Sequence, residues 1–160
     1  MEKVLCFSGV SGSGKTTAVE KMIRELNNRK IGGITTTGDF NNGKRQNFWV
    51  RDVTTNNNVL LAQRDLVATT IQGAFGFTQA GLQFGNNCLY KALSTQVEVL
   101  FIDEIGPLEL RGEGWYPSLQ IMMKTEIADV VFTSRPTTVA QICDTFFPNR
   151  DVQIIEVNRI

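Results

Sequence analysis

A chain of 160 residues, 42% of them apolar and 20% charged, fits one compact domain over residues 1–160 and excludes both a disordered chain and a membrane-embedded one. Its 16 basic and 16 acidic residues cancel, so there is no global field to hold nucleic acid. Histidine is absent, which excludes imidazole catalysis and imidazole metal sites and leaves acid–base work to carboxylates, Lys, Tyr or Cys.

Cys6, Cys88 and Cys143 lie far apart with no C-x-x-C pair, as expected of reduced thiols in a cytoplasmic protein. Met1-Glu2-Lys3 leads directly into a short apolar run, so neither a secretory signal nor a membrane span is expected.

Lys3-Val4-Leu5-Cys6-Phe7 reads as a buried strand. It runs into Gly9-Val10-Ser11-Gly12-Ser13-Gly14-Lys15-Thr16, a complete G-x-x-x-x-G-K-T phosphate loop, followed by helix-compatible residues from Thr17 to Leu26. A chance match in a chain this long is on the order of one in a hundred, and the strand–loop–helix context lowers that further. Backbone N–H groups of such a loop converge on phosphate oxygens and the helix adds its positive end. Gly9, Ser11, Gly12, Ser13, Gly14, Lys15, Thr16 and Thr17 are therefore the candidate nucleotide-binding residues. Lys15 is placed to reach the β- and γ-phosphates, and the Thr16 hydroxyl to ligate Mg²⁺.

Val19, Met22, Ile23 and Leu26 form a helical stripe over 18–29 that ends at Asn27-Asn28. Ile31 to Thr37 reads as a strand whose glycines imply close backbone approach, to a neighbouring strand or to the phosphate loop. With Gln46 to Val53 it makes an antiparallel hairpin, with a polar, mobile tip over 39–43. Val59 to Ala62 extends the same small sheet. Residues 64–77 carry no clear period and read as irregular, either a packed loop or a lid or wall for a bound base. Leu82, Asn86, Leu89 and Leu93 predict a helix over 78–93.

Val97 to Ile102 is an apolar strand ending in Asp103-Glu104. Beside a full phosphate loop this reads as the Walker B element: Asp103 holds Mg²⁺, directly or through water, and Glu104 polarises the attacking water. Pro107 bars continuation of a strand or helix, so 105–110 is expected to be a shaped loop in which Glu109 either faces the metal or anchors the chain. Trp115 to Met123 suits a helix and Ala128 to Thr133 a core strand. That strand ends in Ser134-Arg135-Pro136, where Arg135 either stabilises γ-phosphate charge in cis or pairs with a surface acid. A short helix over 139–146 and a last strand over 152–157 complete the chain.

The phosphate loop, the strand pair from Ile31 to Val53 and above all Ile102-Asp103-Glu104-Ile105-Gly106-Pro107-Leu108-Glu109-Leu110 resemble the small nucleoside-triphosphatases known as cancer-related or thermophilic-type NTPases. The resemblance runs over nearly the whole chain. It implies a RecA-like α/β three-layer sandwich, a mostly parallel sheet with a small antiparallel extension, and Mg²⁺-dependent hydrolysis of ATP, GTP and other nucleoside triphosphates to diphosphates. By matched position it assigns residues 9–17 to phosphate and Mg²⁺, and Asp103 and Glu104 to metal and water. One departure stands out. Where the family is expected to carry an acid followed by an arginine after the Thr-rich strand, this chain has Thr37-Gly38-Asp39-Phe40, leaving Lys44 or Arg45 to replace that guanidinium. Arg135, Arg45 and Arg111 are then the candidates for a catalytic arginine in cis, and without one turnover is expected to be slow. Two rivals share the same loop: a small-molecule kinase with an acceptor pocket, and a nucleotide-dependent switch or partner-binding module.

Overall fold

The computed structural model describes residues 3–26, 28–126 and 129–158. Asn27, at the expected end of the first helix, and Ala128, at the expected start of a core strand, lie outside the described residues. The chain forms β1 (Lys3–Ser8), α1 (Lys15–Glu25), β2 (Ile31–Asn41), β3 (Lys44–Asp52), β4 (Asn58–Arg64), β5 (Ile71–Gln72), β6 (Phe75–Phe77) and α2 (Gln79–Ser94). It continues through β7 (Val99–Ile102), α3 (Pro107–Leu110), α4 (Tyr116–Met123), β8 (Asp129–Ser134), α5 (Val139–Phe146) and β9 (Val152–Glu156).

Among the described residues nine strands join one sheet in the order β5-β6-β4-β3-β2-β7-β8-β1-β9. Five of them, β2, β7, β8, β1 and β9, run parallel. Because β8 lies between β1 and β7, the strand of the phosphate loop and the strand of the acid pair are not neighbours, which is the RecA-like arrangement. The period of two along each parallel strand divides its side chains between two layers. Leu5, Phe7, Val99, Phe101 and Val131 pack with Val19 and Met22 of α1 on one face. Val4, Cys6, Leu100, Ile102, Val130 and Phe132 pack with Leu89, Leu119 and Ile142 of α2, α4 and α5 on the other. Strands covered on both faces need continuous apolar runs, and that is why β1, β7 and β8 are legible as they are.

Gly33 allows the tight pairing of β2 with β7. A Cβ there would stand 2.0 Å from the Phe101 carbonyl oxygen, and the residue's φ of +118° is open to glycine. The close approach expected of this segment is thus to the neighbouring strand.

The antiparallel extension is larger than expected, taking four of the nine strands. Two segments account for the difference. Residues 39–43 are not a loose tip: β2 runs on to Asn41 and pairs with Lys44, and only Asn42 (φ 52°) and Gly43 (φ 78°) turn the chain. Two successive positive φ values make a type I′ turn, the tight hairpin that an Asn-Gly pair favours. Trp49 Nε1 donates to Asp39 Oδ2 at 2.6 Å across the hairpin. Residues 64–77 are also more ordered than their composition implied, since β6 pairs with β4 and β5 folds back on β6. These two strands have only 2 and 3 residues, too few to display a period. A third correction falls at Pro107. The ring does not end regular structure there but begins it, at the first position of α3, where the missing N–H has no helical partner to lose.

Candidate active site

The C-terminal ends of the parallel strands open into a cleft of about 840 Å³. Along its floor, β1 ends at Ser8 and the phosphate loop turns over 9–14 before α1 begins at Lys15. Ser13 N donates to the Val10 carbonyl at 3.1 Å, and Gly12 and Gly14 take φ values of 77° and 100°, closing the loop on itself. Gly9 is buried beneath the turn and held by its N–H to the Ser134 carbonyl at 3.3 Å. Ser11, Gly12, Ser13 and Lys15 line the cleft with Glu104 and Arg135. A smaller depression of about 310 Å³ is lined by residues 12–17, Glu104, and Phe40 and Arg45 of the hairpin. The Ser13 hydroxyl is buried without a hydrogen-bond partner.

Lys15 is buried, and its ammonium donates to the Gly9 carbonyl at 2.6 Å and the Val10 carbonyl at 3.0 Å. Two bonds leave one ammonium proton for an incoming anion. Burial pulls this group below its ordinary value; Glu104 opposes that shift and Arg135 adds to it.

Asp103 follows β7 and is 1% exposed, and polar atoms so buried need hydrogen-bond partners. Both oxygens have them. Oδ1 accepts from Thr133 Oγ1 at 2.6 Å, and Oδ2 accepts from Thr16 Oγ1 at 2.8 Å, Thr36 N at 3.0 Å and Thr36 Oγ1 at 3.3 Å. Residues from α1, β2, β7 and β8 thus meet on one carboxylate. Thr16 and Asp103 present two hard oxygens side by side, a donor set that fits Mg²⁺, which takes one or two protein oxygens and completes its shell with phosphate and water. Among the described residues no three acidic, His or Cys side chains cluster as a metal cage.

Glu104 adopts φ 63°, a left-handed conformation that costs a non-glycine residue about 1–2 kcal/mol. Its N–H donates to Thr133 Oγ1 at 2.7 Å, and this fixes the turn that swings its side chain into the cleft. The carboxylate has no hydrogen-bond partner among the described residues. Burial raises its pKa, Asp103 next to it raises it further, and Lys15, Arg135 and Arg45 pull the other way.

Glu109 anchors the chain. Its Oε1 accepts from Gly106 N at 2.7 Å and its Oε2 from Trp115 N at 2.9 Å, within the core rather than towards the phosphate loop. Burial pushes this carboxyl up to about 7.

The three candidate arginines separate. Arg135 follows β8, is exposed and borders the cleft. Arg45, on β3, overhangs the phosphate loop, its guanidinium carbon 5.4 Å from the Phe40 ring centre and 5.1 Å from that of Phe48. Arg111 is corrected: it donates to the Ile71 carbonyl at 2.8 Å and to Glu113 at 3.0 Å, and it does not border the cleft. Sequence reasoning missed Thr36, Thr133 and Phe40. The first two act across 67 and 30 residues of sequence and have no local signature.

Fold and site together define a phosphate-loop nucleotide-binding protein of the α/β class. A family model described as NTPase matches residues 4–160, and the chain belongs to that family. It is similar to the nucleoside-triphosphatase THEP1 of Thermofilum pendens, 33% identical over 120 residues that make up 73% of this chain and 65% of that protein. The corresponding protein of Methanosarcina barkeri is 26% identical over 126 residues, 76% of this chain and 71% of its own. Among solved structures, the crystal structure of THEP1 from Aquifex aeolicus superposes with a TM-score of 0.76 at 21% identity, covering 99% of this chain and 90% of that one. The solution structure of a human cancer-related nucleoside triphosphatase gives 0.65 at 17% identity, covering 97% and 87%. At these identities the two structures speak for the fold alone.

Proposed function

We propose that this chain is a single-domain, Mg²⁺-dependent nucleoside-triphosphate phosphohydrolase that cleaves ATP, GTP and related triphosphates to the diphosphate and phosphate. One observation carries the reading: Thr16 of the phosphate loop and the buried Asp103 are in contact at 2.8 Å, with Lys15 and Glu104 on the same cleft. Family membership supports the hydrolytic outcome.

In this reading the loop N–H groups of residues 9–14 and the Lys15 ammonium receive the β- and γ-phosphates. Mg²⁺, held by the Thr16 hydroxyl and Asp103, would neutralise charge on the bridging and γ oxygens. Glu104 orients the attacking water and accepts its proton, a role for which a free carboxylate with a raised pKa is suited. Arg135 and Arg45 add positive charge at the terminal phosphate. Because most of that charge is met by fixed dipoles that need no rearrangement, catalysis here is chiefly electrostatic.

A panel of nucleoside triphosphates with Mg²⁺, scored for phosphate and for diphosphate, tests the reaction, with Lys15→Ala as the control. Phosphate release that requires the nucleotide and disappears in Lys15→Ala is the expected outcome. Release undiminished in that variant would place hydrolysis elsewhere.

A further inference from the structure

A hydrolase needs room for one water beyond the terminal phosphate, about 30 Å³. The cleft here is far larger, about 840 Å³, and it continues past Glu104 into a compartment between the antiparallel extension and the chain around Trp115. Part of its wall is a strip of arginines and aromatic rings. The Phe48 and Phe75 rings meet edge to face with centres 4.9 Å apart, the Arg45 guanidinium lies 5.1 Å over Phe48, and that of Arg64 lies 4.9 Å over Phe75. Arg64 Nε donates to the Arg45 carbonyl at 2.9 Å, tying the two arginines into one strip across β3 and β4.

The charge of this strip is unbalanced. Arg29, Arg51 and Arg111 each pair with a carboxylate, whereas among the described residues Arg45 and Arg64 have none. In a protein of zero net charge, two unpaired guanidiniums laid on aromatic faces in a cleft form a receptor for something planar and anionic. A guanidinium held flat keeps its fork of donors in place for bidentate binding of a phosphate, and its own planar face takes a base by stacking.

The base of the triphosphate itself does not account for this wall. Lys15, Thr16, Asp103 and Glu104 mark the terminal-phosphate end of the nucleotide; the antiparallel strands lie beyond β7 on the side away from the loop strand β1, and Phe48, Arg64 and Phe75 line the cleft without bordering the depression over residues 12–17. We propose that the Arg45–Phe48–Phe75–Arg64 strip is a second ligand site for a nucleoside monophosphate, bound beside the terminal phosphate while the phosphate loop is filled. The proposal rests on the phosphate-loop reading above and adds to it a second substrate-sized occupant.

Calorimetric titration of AMP, GMP, CMP and UMP into the protein saturated with Mg²⁺ and a nonhydrolysable ATP analogue tests it. At least one monophosphate should bind saturably, with Kd below about 1 mM and unchanged when the analogue is doubled. Arg64→Met should raise that Kd about tenfold through loss of a charge-assisted bond, and Phe75→Leu, which keeps the wall apolar, about threefold through loss of the ring that holds the Arg64 guanidinium flat. The analogue's own affinity, read in the same samples, reports that each variant is folded; should Arg64→Met fail there, Phe75→Leu carries the test. Failure of all four monophosphates to bind overturns the proposal, as does displacement by the analogue or indifference to the variants. Absence of analogue binding would instead overturn the phosphate-loop reading, and this site with it.

Discussion

Thr133 Oγ1 donates to Asp103 Oδ1 at 2.6 Å while accepting from Glu104 N at 2.7 Å, so one hydroxyl sets both acids of the cleft. It is fully buried at the end of β8, the strand that intervenes between the loop strand and the acid strand. Its removal frees the Asp103 carboxylate to rotate and loosens the turn at Glu104. Thr133→Val keeps the shape and deletes both bonds. We expect kcat to fall about 10–100-fold, the usual effect of losing a group that orients ligating or reacting residues, and unfolding free energy to fall by about 1–3 kcal/mol. Phosphate-release kinetics and denaturant titration check the pair of effects; normal kcat with reduced stability would make Thr133 a packing residue only.

Glu104 pays for its position twice, through φ 63° and through a half-buried, desolvated carboxylate with no hydrogen-bond partner among the described residues. Function and stability should therefore separate there. Glu104→Gly relieves about 1 kcal/mol of backbone strain and removes the desolvated acid, against about 0.5–1 kcal/mol of added chain entropy. Its unfolding free energy should equal or exceed that of the parent. Its kcat, like that of Glu104→Gln, should drop about 10²–10⁴-fold while nucleotide binding persists. A marked loss of stability in Glu104→Gly would show that the side chain is held by favourable contacts after all.

The central strands β1, β7 and β8 and the acid pair were legible because strands covered on both faces are written as apolar runs. The phosphate loop was legible because its chemistry dictates residue types at fixed spacing. Thr36 and Thr133 were not, since a hydroxyl that supports a carboxylate across 67 or 30 residues of sequence has no local signature. Nor was the antiparallel wall: β5 and β6 draw their regularity from pairing with β4, so nothing within 64–77 announces them. Asn42-Gly43 did carry a hairpin signal. Reading the polar residues around it as a loose loop hid how far the strands run, and with that the position of Phe40 and Arg45 over the nucleotide loop.

Arginine substitutions should divide along the same lines as the cleft. Arg135 and Arg45 border the phosphate loop, so Arg135→Ala and Arg45→Ala should each lower kcat about tenfold or more, the loss of a cation placed near developing charge. The triphosphate KM should move less than kcat. Arg111→Ala should leave both unchanged, because that side chain is committed to Ile71 and Glu113 outside the cleft. Steady-state kinetics on the three proteins checks the division, and an Arg111→Ala defect equal to the others would refute it.

Glu109 offers a prediction about pH. Burial raises this carboxyl from 4.5 to about 7 in the folded chain, against the pull of the N–H groups of Trp115 and Gly106. The folded state therefore binds the proton more tightly than the unfolded state does. The resulting stabilisation is fully present below the unfolded pKa near 4.5 and is lost as pH rises through about 7. Its full extent is on the order of 3 kcal/mol. Glu109→Gln removes the titration and leaves one of the two backbone N–H groups facing an amide donor, a cost of about 1–3 kcal/mol. Unfolding free energy measured from pH 4.5 to 7.5 should thus decline more steeply in the parent than in Glu109→Gln, so the gap between them narrows as pH rises. Parallel curves would mean that the two N–H groups hold the carboxylate ionised throughout and that burial does not govern its proton.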